Sequence, residues 1–512
     1  MPIGSTGRRF INLTEIGDRL SILPNPEPYL SIVVPSRNDD HGGDLLKRMQ
    51  IFATALLEQC RRHQIPAELI IVEWNPPADR PRLAEALRWP REPGPCVVRF
   101  IEVPAAIHRR YRNADGLPLY QMIAKNVGIR RARGRFVLAT NIDILFSDEL
   151  MQYIAGQHLR LETMYRIDRH DVMAEVPDAP VAEQLAWCES HMIRVNSVAG
   201  TFPTLPNGEL ALESNDVASR DGNLTLGAGW FARELVGSTP FRWIDNNAEI
   251  YIHGSDPKRV LAIDMEPGPG VKMAATTLDV LDDEGSKVFS MRLAGRRVVS
   301  IPVPDRGLGQ SGPVRLRLRF SGAGSRLAVD PRPLNAQVRR CALYEAPAIP
   351  RLWNIAQRTW WMLQWRLRRI LSPEPEYTDG WPDSLHLTAC GDFTMLAREH
   401  WLDLRGYPEF DMFAMDIDSL FCWSAHYGGA KEMVLRNPMR TYHIEHATGS
   451  GWTPEGQEKL FERMAEKGVP WLHHTDVIRW AADMKRLQAP IIFNREDWGL
   501  GLEDLKETQL VD

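Results

Sequence analysis

Lys125–Asp143 reads KNVGIRRARGRFVLATNID. A helix over roughly Leu119–Arg133 runs into Gly134, and Arg135–Thr140, RFVLAT, is a short apolar strand rich enough in branched residues to be buried. The strand stops at Thr140-Asn141-Ile142-Asp143. Side chains alternate along an extended segment, so Ile142 points one way while Asn141 and Asp143 face the other together. Two hard oxygen donors beyond the carboxyl end of a strand suit Mg²⁺ or Mn²⁺ bridged to a diphosphate. The same tetrapeptide also reads as an Asx-turn or a helix cap, because Ser147-Asp148-Glu149 follows and resembles a helix start.

Upstream, YLSIVVP (Tyr29–Pro35) and ELIIVE (Glu68–Glu73) are buried strands, the second ended by Asn75-Pro76-Pro77, and Val97–Val103 is a third. Between the first two, Leu45, Leu46, Met49, Phe52, Ala53, Leu56 and Leu57 recur at helical spacing over about Asp44–His63. Strands alternating with helices predict βαβ units and a mostly parallel, doubly covered sheet. Downstream the texture changes. From about Thr204 to Glu345, short alternating segments such as VRLRLRFSG are divided by Gly, Pro and Asp clusters, which predicts an antiparallel sandwich. Its aromatics Trp230, Phe231, Trp243 and Tyr251 read either as core or as sugar-stacking platforms. Arg351–Leu371 returns to helical spacing with five arginines and four tryptophans, a composition that suits either an interfacial helix on anionic lipid or a packing helix. The expected organisation is therefore residues 1–203, an inserted sandwich over 204–346, a Trp/Arg-rich helix and linker over 347–384, and a second α/β portion over 385–512.

At 512 residues, more than one core is expected. A net charge of −5 supplies no global basic field, which argues against a nucleic-acid partner. The opening MPIGSTGRRFINLTEIGDRL has no apolar leader-like core, and nowhere do about 18 apolar residues run without charge. The cysteines at 60, 96, 188, 341, 390 and 422 are widely spaced with no CxxC pair, as expected of reduced, buried thiols rather than a disulfide framework. These features predict a cytoplasmic protein, with peripheral contact at the inner membrane face if 351–371 is interfacial.

SIVVPSRND, ELIIVEWNPP and KNVGIRRARGRFVLATNID, in that order, resemble the nucleotide-binding half of family 2 glycosyltransferases, in which an Asn-x-Gly…Ala-x-Gly helix precedes a strand ending in a metal-binding acidic motif. The resemblance implies an α/β fold, with a GT-A (Rossmann-like) core carrying the inserted all-β sandwich. It implies that Pro35, Arg37 and Glu73 border the nucleobase and ribose, that Asn126 and Arg130 lie near the sugar-diphosphate with Asn141, and that Asp143 is the metal carboxylate. Asn141 stands where the family often has aspartate, which removes one negative charge from the ion site.

Later segments, Gly391-Asp392-Phe393, WLDLRGYPE (Trp401–Glu409), Met415-Asp416-Ile417-Asp418 and Tyr442-His443-Ile444-Glu445-His446, resemble the carboxy-terminal catalytic segment of galactosyltransferases. That resemblance implies Asp392 at the transferred sugar or acceptor, Asp416 as general base with Asp418 beside it, and His443 or His446 as a nitrogen ligand to Mn²⁺ or Mg²⁺. Met415 replaces the glutamate usual in the family. Inverting glycosyl transfer needs such parts, a carboxylate to take the acceptor proton and a cation to stabilise the leaving diphosphate. Helix-terminal carboxylates and structural histidines explain the same residues without chemistry. The expected function is transfer from a nucleotide-sugar, with a UDP-sugar as donor, to a glycan or lipid-linked acceptor. A catalytically inactive glycan-binding protein is the alternative left open by Asn141 and Met415. A nucleotidyltransferase is the other, although the segment after the first strand, PSRNDDHGGD, is acidic where a phosphate loop would carry Lys or Arg.

Overall fold

The computed structural model describes residues 10–12, 28–91, 94–198, 200–204, 224–236, 239–253, 259–304, 312–327, 330, 332–345, 377–378, 385–446 and 456–510. The Trp/Arg-rich helix expected over 351–371 lies outside them. The chain divides into two compact units. One comprises Met1–Val198, Pro206–Gly208 and Leu385–Asp512, and the other Ala199–Leu205 and Glu209–Ser384.

In the first unit the apolar runs Leu30–Ser36, Ala67–Trp74 and Cys96–Val103 pair in parallel, and Phe136–Ala139 pairs in parallel on the other side of Leu30–Ser36. Leu30–Ser36 and Ala67–Trp74 are buried along their whole length, as runs covered on both faces must be. The helix Leu45–Arg62 buries Leu45, Met49, Phe52, Leu56 and Cys60, a stripe at helical spacing. The helix Gln121–Arg130 lies so close to the sheet that a Cβ at Gly128 would stand 2.5 Å from Val33 Cγ1. Only glycine allows that approach.

Antiparallel strands flank the parallel set. Thr394–Ala397 runs against Phe136–Ala139, with Thr394 opposite Ala139, and Lys506–Leu510 runs against Cys96–Val103. A second sheet places Arg169–Val172 between Met192–Ser197 and Thr441–Ile444, and Thr441–Ile444 also pairs antiparallel with Ile144–Phe146.

These observations correct the fold class predicted from sequence. The α/β expectation of a GT-A, Rossmann-like core is overturned by a chain with more strand than helix and with mixed sheets. The alternation that suggested repeated βαβ units was misleading for a physical reason. Between Trp74 and Cys96 the only helix among the described residues is the four-residue Leu83–Ala86, too short to act as a covering crossover helix, and the strands Thr394–Ala397 and Lys506–Leu510 join the sheet antiparallel from far along the chain.

The second unit holds two antiparallel sheets. One orders Leu224–Leu226, Ala248–Ile252, Val314–Phe320, Thr276–Leu281 and Lys287–Leu293. The other orders Trp230–Val236, Thr239–Ile244, Ala336–Glu345, Arg259–Pro267 and Arg297–Pro302. Leu316, Leu318 and Phe320 point inward while Arg315, Arg317 and Arg319 point outward, the period-two pattern of a half-buried strand. Residues of both sheets share one core that includes Ile250, Leu261, Ile263, Leu318 and Val338. Trp230 and Phe231 are buried, which assigns them to packing, whereas Trp243 and Tyr251 are half-buried.

All six cysteines are free and buried. Among the described residues, no helix is long and apolar enough to cross a membrane.

Candidate metal centre

Strand register builds the site. Parallel pairing sets His443 opposite Asp171, antiparallel pairing sets it opposite Ile144, and the Ile444 amide donates to the Asp143 carbonyl at 2.9 Å. Ile144, His443 and Asp171 therefore stand in one row, Asp143 lies one position along at Ile444, and His446 follows His443 three residues later. His443 Nε2 lies 3.9 Å and His446 Nε2 3.6 Å from Asp143 Oδ2. The ligand atoms of Asp143, His443 and His446 all fall within 4.8 Å of one another, a spacing that one ion can draw together. One carboxylate oxygen and two imidazole nitrogens suit Mn²⁺, Fe²⁺ or Zn²⁺, whereas Mg²⁺ prefers an all-oxygen shell. Burial lowers the His446 imidazole to about 4 despite the opposing pull of Asp143, so its ring is neutral near pH 7, as ligation requires.

Charged residues surround this triad. His443 Nδ1 sits 3.2 Å from Asp171 Oδ1, which favours the tautomer that leaves Nε2 facing Asp143. Asp171 is fully buried. Burial alone would raise its carboxyl, but Arg169 at 2.7 Å, His443 and Arg194 at 2.6 Å outweigh that and hold it well below the ordinary range. Arg48, also buried, places Nε 3.8 Å from Asp143 Oδ2.

Asp392 is brought beside Asn141 by the antiparallel strand that follows it, with Thr140 Oγ1 donating to the Asp392 carbonyl at 2.6 Å. Its carboxylate accepts from Arg169 at 2.6 Å and from Asn141 Nδ2, and Asn141 Oδ1 accepts from Gln121 at 2.8 Å. Against the upward push of burial, Arg169, His443 and Lys125 keep Asp392 below its usual range. Asp392 is thus tied to Arg169 and Asn141.

Asp416 and Asp418 stand outside the triad, at the start of the helix Ile417–Tyr427. Asp416 has φ 61° and is half-buried, and burial followed by the Asp418 charge pushes its carboxyl up to about 7. Burial also raises Asp418.

The residues expected at the nucleotide fall into two groups. Pro35 and Glu73 are buried near the ends of adjacent parallel strands. Glu73 accepts from the Leu83 amide at 3.0 Å, and burial raises its carboxyl to about 7. Arg37 donates to the Asn75 carbonyl at 2.7 Å and pairs with Asp39 at 2.6 Å. Asn126 and Arg130 lie against other parts of the chain. Asn126 is fully buried, donates to the Tyr407 carbonyl at 2.8 Å and to Glu409 at 3.0 Å, and accepts from the Tyr407 amide at 2.8 Å. Arg130 donates to the Glu496 and Trp498 carbonyls and lies over the Trp498 ring. Both side chains are held by protein partners.

Sequence reasoning missed Arg48, Asp171, Arg169 and Lys125. Arg48 had a visible signal, since it falls on the apolar stripe of its helix between Leu45 and Met49. Lys125 is fully buried, donates to the Gly391 carbonyl and faces Asp392, Asp418 and Asp143, and burial lowers it to about 8.

No family model matches the chain. No curated protein matches it either. Among solved structures, a xylan-binding module CBM15 is 11% identical, with a TM-score of 0.15, over 24% of this chain and 95% of that one. A CBM51 module from Clostridium perfringens GH95 in complex with methyl-galactose is 14% identical, with a TM-score of 0.14, over 24% of this chain and 89% of that one. Xylanase10C from Cellvibrio japonicus is 8% identical, with a TM-score of 0.18; the match covers 26% of this chain and only 28% of the xylanase. Each likeness concerns about a quarter of the chain.

Proposed function

We propose that this protein handles carbohydrate through a divalent cation held by Asp143, His443 and His446, and that the cation serves transfer of a sugar from a nucleotide-diphosphate donor, a UDP-sugar by preference, to a glycan or lipid-linked acceptor. The observation that carries the reading is the convergence of the three ligand atoms within 4.8 Å from segments about 300 residues apart. The order of motifs that resembles family 2 glycosyltransferases supports it. Mn²⁺ fits the donor set better than Mg²⁺. When bound, the ion would supply Lewis-acid stabilisation of the leaving diphosphate. The chain's own residues do the rest. Asp171 orients His443, Arg48 balances Asp143, and Asp416, raised to about 7, is suited to take a proton from an acceptor hydroxyl near neutral pH.

Glycan binding without turnover is the second reading, favoured by one specific feature: Asp392, the acid expected at the transferred sugar, is occupied by Arg169 and Asn141. One experiment separates the two. Thermal stability is followed with Mn²⁺, UDP-sugars and both together, and release of UDP is followed after adding glycan acceptors. The proposal expects stabilisation that needs metal and nucleotide together and vanishes in Asp143→Ala, with acceptor-dependent UDP release. Stabilisation by glycan alone without UDP release supports the binding protein. Equal metal responses of wild type and Asp143→Ala refute the cation site.

A further inference from the structure

The loop Asp39–Asp44, DDHGGD, is wrapped beside the triad. Asp40, Gly42, Gly43 and Asp44 all have positive φ, at 60°, 74°, 76° and 50°. Such a run bends the chain back on itself, and the two glycines adopt it without steric cost. A Cβ at Gly42 would lie only 2.8 Å from His446 Nδ1, so this backbone rests directly on a triad imidazole. Arg48 fixes the loop from beneath. Nη2 donates to the His41 carbonyl at 2.8 Å and Nη1 to the Gly43 carbonyl, while Nε of the same guanidinium faces Asp143. The Asp39 carboxylate accepts from the His41 amide at 3.1 Å, and the Asp40 carboxylate accepts from the Leu45 amide at 3.2 Å.

The side chain that this loop presents is the exposed imidazole of His41. Its ring lies 6.3 Å from that of His446, edge-on at 61°, while the rings of His443 and His446 are 5.4 Å apart. An imidazole nitrogen about 2.1 Å from an ion puts its ring centre about 3 Å away, so two rings sharing one ion stand roughly 4.5–6.4 Å apart. His41 is at the outer end of that range, at the edge of the close triad.

We propose that His41 is a fourth ligand of the cation held by Asp143, His443 and His446, delivered when the loop Asp39–Asp44 settles onto the bound ion. The inference rests on the cation-site reading above and deepens it. A ligand on a loop makes coordination depend on loop closure, and the arginine that faces the metal carboxylate is the residue that holds the loop.

The test uses the full-length chain and Co²⁺, whose visible absorption reports the number and kind of its ligands, together with calorimetric affinity for Co²⁺ and Mn²⁺. His41→Ala removes an exposed side chain, and circular dichroism verifies that the fold is retained. It is expected to weaken Co²⁺ binding by at least about tenfold, the least that even outer partners of a metal site contribute, and to change the absorption envelope. Asp143→Ala is expected to abolish binding. If His41→Ala matches wild type in affinity and spectrum while Asp143→Ala does not bind, the fourth-ligand proposal is overturned and the triad stands. If neither variant differs from wild type, or wild type binds no Co²⁺ or Mn²⁺, the triad itself is refuted and His41 with it.

Discussion

Asp416 carries the sharpest pH prediction. Its carboxyl is displaced from the ordinary 3.8 to about 7, first by burial and then by the neighbouring Asp418 charge. The unfolded chain gives up this proton near the ordinary value, whereas the folded chain keeps it to about pH 7. Between those values the folded state binds one more proton, so stability falls as pH rises from about 4 to 7 and is flat above. Three units correspond to about 4 kcal/mol at full weight, and the half-buried position reduces that to roughly 2 kcal/mol. Urea unfolding of wild type and Asp416→Asn at pH 5 and pH 8 measures it. The variant has no proton to lose, so it should be relatively more stable at pH 8 and lack this share of the slope. If Asp416 is also the base for transfer, its ionised fraction climbs about tenfold between pH 6 and pH 8, and the rate should climb with it. Asp418→Asn removes only the smaller of the two causes and should move the limb down by less than about 1.5 units. Identical pH slopes in wild type and Asp416→Asn would refute the reasoning whatever the protein's activity.

Two further substitutions separate binding from architecture. Asp171→Asn should weaken Mn²⁺ binding by roughly 10–100-fold through loss of the contact that orients His443, measured by calorimetry. It should also lower unfolding free energy by about 3–5 kcal/mol, because Arg169 and Arg194 lose the buried charge that both face; unchanged affinity in the folded variant would deny Asp171 its positioning role. Asn126→Ala should cost about 2–4 kcal/mol by leaving the Tyr407 amide and part of Glu409 unpartnered, while nucleotide affinity of the folded variant stays unchanged. A selective loss of nucleotide affinity without loss of stability would return Asn126 to the ligand.

How much of this was legible depended on whether a residue's role is written locally. Asp143 could be singled out because it ends an apolar strand, and the sandwich because VRLRLRF alternates with period two. The histidine pair acquired meaning only beside Asp143, and their meeting depends on pairing Thr441–Ile444 with Ile144–Phe146, a register no local pattern specifies. Asp171 is harder still. RIDRHDV looks like a solvated strand, yet its residues Arg169 and Asp171 are buried because each cancels the other's desolvation cost. Compensated charge leaves no hydropathy signal.

The misread fold class has a related origin. Alternating apolar runs report which segments are buried strands, but the direction in which each enters a sheet is decided by its partners. Thr394–Ala397, more than 250 residues after Phe136–Ala139, enters the sheet antiparallel beside it and carries Asp392 to Asn141. That antiparallel entry is one of those that make the sheet mixed, and it also seats Asp392 against Arg169. Asp392, expected at the sugar, begins a chain of charges, Asp392–Arg169–Asp171–His443, that ends at the candidate metal triad. The chain places Asp392 two residues removed from His443 along a buried ionic path, so Asp392→Asn is expected to alter Mn²⁺ affinity at the proposed triad through Arg169, as calorimetry would show.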